Sequence, residues 1–202
     1  NLWAANSGAG NMLSVKTTKD EWYSFNIGNS NLSHIMVDDN DYKWILNRDG
    51  YCIVYNDNNT ISNPDDDEYK ILTKASGQGG LPDFANCMAI DSKGTVWVGT
   101  NDGLATFYST HKIFQQGANY DASRILVPRN DGSGQADYLL SGESVLSIAI
   151  DDADNLWVGT NNGVFYIIEE AFDFDFKECS RDAGVIGIKG DKRIKCQQFN
   201  CC

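Results

Sequence analysis

The sequence predicts an all-β fold, a β-propeller of four-stranded antiparallel blades. Three observations lead to this prediction. One segment recurs with fixed offsets between an aspartate, a tryptophan and a glycine. Within each copy, apolar and polar residues alternate as they do in a strand with one buried face, and no stretch shows a convincing helical period.

Each copy of the repeat is anchored on one aspartate. Residues 86–104 read NCMAIDSKGTVWVGTNDGL, and residues 145–164 read VLSIAIDDADNLWVGTNNGV. The same spacing holds in residues 34–55, which read HIMVDDNDYKWILNRDGYCIVY. In the three copies the aspartates are Asp38, Asp91 and Asp151, the tryptophans are Trp44, Trp97 and Trp157, and the glycines are Gly50, Gly103 and Gly163. Trp3 stands where a further copy would have its tryptophan.

The elements of one copy follow in a fixed order. A strand with alternating apolar residues ends at the aspartate, where Asx-type residues predict a turn. The next strand carries the tryptophan, and the glycine that follows supplies the positive φ of a tight hairpin. A third strand comes next, over residues 51–55, 104–108 and 164–168. Residues 21–25 and 69–72 are predicted fourth strands. The five tryptophans, Trp22 included, are expected to pack in the core rather than to bind sugars.

The spacing of the copies predicts the organisation of the chain. Successive tryptophans of the repeat are 41, 53 and 60 residues apart. We therefore expect surface loops over residues 56–67, 74–83 and 115–142, which are rich in Asn, Asp, Gly and Ser. Residues 1–170 are expected to form a partial ring of about three complete blades plus partial ones. Residues 171–202 form a Cys-rich tail, either a degenerate further blade or a closing strand.

Composition and charge restrict the partners. The 202 residues carry a net charge of −12, so nucleic acid and anionic membrane surfaces would repel the chain. No apolar run is long enough for a membrane helix, and the first residues lack a signal-peptide pattern. We expect a mature piece of a longer protein. The redox state and role of the cysteines, four of them in the tail, stay open.

Candidate catalytic and metal-binding groups are few. The two histidines, His34 and His111, lack the local signature of a nucleophile with its base. The acidic runs at residues 38–41, 65–68 and 151–154 do not match a Ca²⁺-binding loop. The glycines at 77, 79 and 80 are not followed by the Lys-Ser/Thr of a phosphate-binding loop. We expect no catalytic residue, no metal and no cofactor.

The candidate binding site lies on loops. Turns between the second and third strands emerge on the same face of a propeller as the connections between blades, and rigid repeat folds bind ligands on such loops. Asn and Asp side chains suit hydroxyl-rich glycans and protein backbones alike. The predicted ligand-binding residues are Asn47, Arg48, Asp49, Asn101, Asp102, Asn161 and Asn162.

The repeat resembles the two-component regulator propeller repeat of extracytoplasmic sensors and surface proteins in Bacteroidetes. Segments between the repeats, among them NPDDDEYKILT, GQGGLPD and YDASRILVP, are similar to those of the PorZ-type propellers of the type IX secretion system. The likeness covers roughly residues 1–168. It implies a non-enzymatic cell-surface component of an outer-membrane attachment complex, with a sortase-like protease as partner. Nothing after residue 171 is similar to the continuation of that family.

Three functions follow, in descending order. The first is a scaffold or binding propeller of the attachment complex on the outer-membrane surface, which also recognises a lipopolysaccharide glycan. The alternative is the periplasmic, oligosaccharide-sensing propeller of a hybrid two-component histidine kinase. The last is a propeller glycosidase or lyase, which would need paired acid and base residues that the repeat does not place on the central face. No direct insertion into a membrane is expected.

Overall fold

The computed structural model describes residues 1–8, 10–28, 31–73, 80–129, 132–171, 185–189 and 192–199. The strands in chain order are β1 Leu2–Ala5, β2 Leu13–Lys16, β3 Trp22–Phe25, β4 Leu32–Val37, β5 Lys43–Asn47, β6 Cys52–Asn56, β7 Glu68–Leu72, β8 Ala85–Ile90, β9 Val96–Thr100, β10 Gly103–Phe107, β11 Leu126–Pro128, β12 Ala136–Tyr138, β13 Val145–Ile150, β14 Leu156–Thr160, β15 Gly163–Ala171, β16 Val185–Lys189 and β17 Lys192–Phe199. The described helices are two single 3₁₀ turns, Pro64–Asp66 and Thr110–Lys112. None of the described helices is long and apolar enough to cross a membrane.

The strands form successive antiparallel blades. Blade 1 is β1-β2-β3, and blade 2 is the four-stranded sheet β4-β5-β6-β7. Blade 3 is β8-β9-β10, to which Ser123 adds an isolated bridge opposite Thr106. Blade 4 begins β13-β14-β15, and β17 pairs with β15 on its outer side. The predicted all-β propeller architecture is confirmed, and blade 1 starts with the tryptophan strand as expected.

The hydrophobic core lies between the blades. Each of three clusters draws its residues from two neighbouring blades: Leu13 and Phe25 pack with Ile45 and Tyr55, Trp44 packs with Val98 and Phe107, and Trp97 packs with Val158 and Phe165. The tryptophan of each blade is therefore covered by the next blade along the chain. Trp44 and Trp97 are 0% and 2% exposed, whereas Trp157, whose blade is the last with a described tryptophan, is 40% exposed.

The repeated aspartate joins the turn to the tryptophan strand. One carboxylate oxygen of Asp91 accepts hydrogen bonds from the backbone N–H groups of Lys93 and Thr95, at 3.0 and 2.8 Å. The other oxygen accepts the indole N–H of Trp97 at 3.0 Å. Asp38 and Asp151 repeat the pattern, with tryptophan distances of 3.0 and 3.4 Å. The offset of six residues in the sequence is the length of chain that brings the indole back to the carboxylate.

Three sequence expectations about burial are wrong, and the exposure of Trp157, which was expected in the core, is the first of them. Trp22 is 62% exposed, because Tyr23 and Phe25 face blade 2 and strand alternation turns Trp22 to the opposite side. The predicted surface loop over residues 115–142 contains the hairpin β11–β12 and several core residues. Ile125, Val127, Leu139 and Leu140 are at most 9% exposed and cover Trp97 together with blade 4.

The tail is described only in part. Val185–Lys189 pairs with Lys192–Phe199, which continues the sheet of blade 4 outward. Cys196 lies on β17, whereas Cys179, Cys201 and Cys202 lie outside the described residues, as do the glycines at 77 and 79. The division of the chain at residue 170 stays a prediction.

Candidate functional site

The candidate site is the face formed by the turns between second and third strands, which we name the loop face. Its three turns are Asn47 to Gly50, Thr100 to Gly103 and Thr160 to Gly163. All three lie at the same end of their blades because the strands are equivalent in the repeat. In each turn the glycine has a positive φ, as predicted from the sequence.

A polar side chain closes each turn. The hydroxyl of Thr100 accepts the backbone N–H of Asp102 at 3.1 Å and donates to the carbonyl of Gly103 at 2.9 Å. Thr160 makes the same two hydrogen bonds in its turn. This explains why threonine follows glycine in two copies of the motif: its hydroxyl satisfies two groups of the hairpin.

Asn47 occupies the threonine position in blade 2. Its side-chain oxygen accepts the backbone N–H of Asp49 at 2.6 Å, and the residue is fully buried. Asn47 is therefore a turn former and does not share the surface on which the other predicted site residues lie. Arg48 and Asp49, next in the same turn, are exposed.

Asp102 is held from three sides. Its carboxylate accepts the backbone N–H of Gly142 at 2.7 Å and the hydroxyl of Ser141 at 3.0 Å. It also pairs with the guanidinium of Arg124 at 3.1 Å. The N–H of Gly142, above all, holds the pKa of the Asp102 carboxyl below its ordinary value. Asp102 is thus an ionised anchor between the turn of blade 3 and the segment that leads into blade 4.

Asn101 and Asn162 make parallel contacts with that segment. The side-chain oxygen of Asn101 accepts hydrogen bonds from Asn86 at 2.9 Å and from Ser144 at 3.2 Å. The amide of Asn162 donates to Glu143 at 2.9 Å. The structure therefore brings the turns of blades 3 and 4 together through residues 141–144.

The turn of blade 2 lies at the start of the same row. Asp49 accepts a hydrogen bond from Asn31 at 3.2 Å, and the backbone N–H of Arg48 donates to the carbonyl of Asn31 at 3.0 Å. The backbone N–H of Asn161 donates to Ser144 in the equivalent way. The binding role of the exposed residues stays a prediction.

Sequence reasoning missed Arg124 and its neighbours. The guanidinium of Arg124 stacks on the ring of Tyr138, 4.1 Å from its centroid, and donates to the carbonyl of Asp102 at 2.8 Å. Arg124 and Tyr138 belong to the segment expected to be a loop, so no repeat position marked them. The sequence did contain one signal for the residues that contact Asp102 and the two asparagines. These residues directly precede a predicted inner strand, as Ser141, Glu143 and Ser144 do.

The loop face presents hydrogen-bonding groups. Carboxylates, amides and hydroxyls predominate, with the guanidinium groups of Arg48 and Arg124 among them. His34 lies on β4 and His111 in the 3₁₀ turn Thr110–Lys112, and both are exposed. Among the described residues, no group of three or more His, Cys, Asp or Glu side chains could hold a metal ion.

Comparison with known proteins bears on the repeats and the fold. The sequence model of the two component regulator propeller family matches residues 79–102 and 139–162. These ranges contain the copies of the repeat that are anchored on Asp91 and Asp151. No curated protein matches the chain.

The chain is similar in fold to PorZ, a solved structure, and a weaker likeness is found to a second one. PorZ of Porphyromonas gingivalis, described as an essential surface component of the type IX secretion system, is 17% identical with a TM-score of 0.67. The alignment covers 96% of this chain and 30% of that one, so the chain spans less than a third of the length of PorZ. The extracellular domain of a putative hybrid two component system from B. thetaiotaomicron is 16% identical with a TM-score of 0.49, over 99% of this chain and 26% of that one.

The repeats and the fold agree with each other. Both matched segments contain the tryptophan strand and the turn that build the loop face. The chain has the β-propeller fold that PorZ also has, and two of its repeats match the two component regulator propeller family.

Proposed function

We propose that this chain is a non-enzymatic binding and scaffold propeller that holds its partner on the loop face. The observation that carries the proposal is the network of hydrogen bonds between these turns and residues 141–144, through which Asp102, Asn101 and Asn162 are fixed before any partner arrives. Preorganised polar groups lose little conformational entropy on binding. A platform of this kind suits recognition of a protein backbone or a glycan.

We further propose that this scaffold belongs to the attachment complex of a type IX secretion system. The likeness of fold to PorZ and the similar segments between the repeats support it. The protein would then lie outside the cytoplasm, on the outer-membrane surface. Its partner would be a sortase-like protease of that complex, with the sugar part of lipopolysaccharide as a second ligand.

A second candidate is the sensor propeller of a hybrid two-component histidine kinase in the periplasm. The description of the matched repeat family favours it. Sequencing the source gene beyond the codon for Cys202 separates the two. A second propeller followed by a small β-sandwich supports the scaffold, and a membrane span followed by a kinase supports the sensor.

The binding face is tested by matched variants at the two ends of the blades. The loop-face variant combines Arg48→Ala, Asp49→Ala and Asn161→Ala, all at exposed positions. The control combines Asp39→Ala and Asp152→Ala, which lie in exposed turns at the opposite ends of the tryptophan strands. Binding to the purified sortase-like protease and to lipopolysaccharide is measured by biolayer interferometry.

We expect the loop-face variant to bind at least one of the two at least tenfold more weakly, and the control to bind as the unchanged chain does. Equal effects of the two variants would contradict the loop face as the binding surface. Turnover of a polysaccharide by the purified chain would contradict a non-enzymatic role.

A further inference from the structure

A cavity lies on the outer rim between blades 1 and 2, away from the loop-face turns. Its volume is about 390 Å³, within the range of small-molecule sites. Blade 1 contributes Tyr23 and Phe25 from its outer strand, and blade 2 contributes Tyr55 and Tyr69. The insertion between β6 and β7 supplies the remaining wall, which includes Asp67.

Aromatic rings dominate the cavity. Phe25 and Tyr55 are 7% and 1% exposed and lie with their ring centroids 5.7 Å apart, so they form the buried end. Tyr69 is 50% exposed and Tyr23 is half-buried, so these two rings lie toward solvent. Aromatic rings therefore line the cavity from its buried end to its opening.

The carboxylate of Asp67 is the charged group in the lining. Its Oδ2 accepts the hydroxyl of Tyr55 at 2.5 Å. Its Oδ1 is buried without a hydrogen-bond partner, a state shared among the described side-chain atoms only by Nε of Arg124. A buried acceptor without a donor is unfavourable, so a positive charge brought close to the Asp67 carboxylate would stabilise it.

The surroundings of the cavity are acidic. Asp57 and Asp66 lie close enough to Asp67 to raise the pKa of its carboxyl, although burial is the larger cause and the Tyr55 hydroxyl opposes both. Lys43 is the nearby cation, and its ammonium group is fully buried between Asp57 at 2.8 Å and Asp41 at 3.0 Å. The local field therefore favours a positively charged ligand over a neutral one.

The wall of the cavity is built before any ligand binds. The hydroxyl of Thr60 donates to the carboxylate of Asp66, with distances of 2.8 and 2.9 Å to its two oxygens. Asp57 accepts the backbone N–H of Asn59 at 3.2 Å as well as the ammonium of Lys43. These bonds fix the insertion to blade 2, so that binding needs little reordering of the loop.

We propose that this cavity binds an alkylammonium group. The carboxylate of Asp67 attracts the ammonium, and the rings of Tyr23 and Tyr69, which lie toward solvent, contact the cation and its methylene groups, as aromatic cages do. A lysine side chain of a partner protein and a free aliphatic amine share this chemistry. The inference goes beyond the proposed function, because it concerns a different surface and a different ligand.

The test is a calorimetric titration of the full chain with three probes. These are n-butylammonium, Nα-acetyl-lysine methylamide and the neutral n-butanol. Asp67→Asn removes the charge at the site, and Asp65→Asn removes the same charge two residues away at an exposed position. Tyr69→Leu removes one ring at a half-exposed position.

We expect both ammonium probes to bind at least tenfold more tightly than n-butanol. Asp67→Asn should weaken them at least tenfold, Tyr69→Leu several-fold, and Asp65→Asn less than twofold. Tighter binding of the lysine amide assigns the site to a protein side chain, and tighter binding of n-butylammonium assigns it to a free amine. Either result supports the proposal.

The proposal would be overturned by any of these results: no ammonium binding by the folded chain, equal affinity for n-butanol, or equal effects of Asp67→Asn and Asp65→Asn. Displacement of the probes by a neutral oligosaccharide would also overturn it. If Asp67→Asn does not fold, the Asp67 carboxyl is followed by ¹³C NMR in the unchanged chain. Its pKa should fall when n-butylammonium is added, and an unchanged pKa rejects the site. None of these results depends on whether the loop face binds a partner.

Discussion

Asp102 combines two roles that the sequence did not distinguish. It is the last residue before the turn glycine of blade 3, where Asp and Asn are common turn formers. In the structure its carboxylate also reaches Gly142, Ser141 and Arg124, far along the chain. Its ionised form therefore links the turn of blade 3 to the segment before blade 4.

The pKa of Asp102 predicts an acid dependence of stability. Because that pKa is below 3.8 in the folded chain, the folded state binds this proton less readily than the unfolded state does. The stability that the carboxylate contributes is present above about pH 4 and is lost as the pH falls through the lowered pKa. Asp102→Asn should flatten the decline of the free energy of unfolding as the pH falls below about 4. Urea titrations at several pH values measure it, and identical slopes would contradict the prediction.

At the scale of single elements, the turn glycines differ in their surroundings. Gly94, in the turn before the tryptophan strand, has a φ of 75° and open space around its Cβ position. Gly103 has a φ of 80°, but a Cβ there would lie 2.6 Å from the carbonyl oxygen of Leu139. The first turn needs a glycine only for its positive φ. The second needs it also because another backbone segment lies where a Cβ would be.

Alanine at these two glycines should separate the effects. Gly94→Ala should cost about 1–2 kcal/mol for the left-handed backbone. Gly103→Ala should cost about 1–3 kcal/mol more, because the neighbouring chain has to move. Gly94→Asp should be milder than Gly94→Ala, since Asp41 and Asp154 occupy this position with φ near 60° in the other copies. Chemical denaturation gives all three values, and equal costs at Gly94 and Gly103 would disprove the contact.

Lys43 is the unusual residue of its strand. It directly precedes the tryptophan, where the other copies have Val96 and Leu156. Its ammonium group is fully buried, pairs with Asp57 at 2.8 Å and lies 4.6 Å from the ring centroid of Trp3 in blade 1. The ion pair thus joins the second strand of blade 2 both to the insertion after β6 and to blade 1.

Removing one partner of this pair should be worse than removing both. Lys43→Met leaves Asp57 buried without a counter-ion and should cost about 3–5 kcal/mol. Lys43→Met combined with Asp57→Asn should recover much of the loss, because no isolated charge remains. Free energies of unfolding for the two single variants and the double variant give the coupling. Additive losses would show that the pair is not coupled.

At the scale of the whole molecule, the blades depend on their neighbours. The clusters between blades contain Trp44 and Trp97, and each tryptophan is covered by the next blade. Trp157 packs against Tyr166 of its own blade, with ring centroids 4.4 Å apart, and is 40% exposed. Stability in such stacks is a sum of units and of interfaces between nearest neighbours.

The same substitution in two copies measures the value of the neighbouring blade. Trp97→Ala should cost about 3–5 kcal/mol, as for a buried aromatic residue. Trp157→Ala should cost roughly half as much, because a large part of its surface is already in contact with water. Denaturant unfolding of the unchanged chain and of the two variants gives both differences in the free energy of unfolding. A cost at Trp157 equal to that at Trp97 would mean that Trp157 is covered by another element.

Local patterns in the sequence were enough to predict the strands, but they did not predict the contacts between distant segments. The fourth strand predicted over residues 69–72 is observed as Glu68–Leu72, because alternation and turn residues act over short distances. Trp22 was predicted in the core and is exposed, since an aromatic residue in a strand has no local signal for the side it faces. Arg124 and Leu139 were missed because their contacts come from blade 3 and blade 4.

The candidate site was likewise predicted only in part. The positions of the loop-face turns were predicted from the spacing of the repeat. The burial of Asn47 was not predicted, because its side chain closes a turn that only the folded backbone defines. The cavity between blades 1 and 2 had no local signal at all. Tyr23 and Asp67 are separated by three strands and their connections, and they meet because one blade stacks on the next.

By itself the sequence determined the repeat, the order of strands within a blade and the face on which the turns emerge. These follow from offsets of a few residues, which the geometry of strands and hairpins converts directly into structure. Tertiary structure alone decided which aromatic residues are covered, how the segment before blade 4 ties Asp102 in place, and where a cavity forms. Those features depend on surfaces brought together from distant parts of the chain, and their free energy is gained only when neighbouring blades pack.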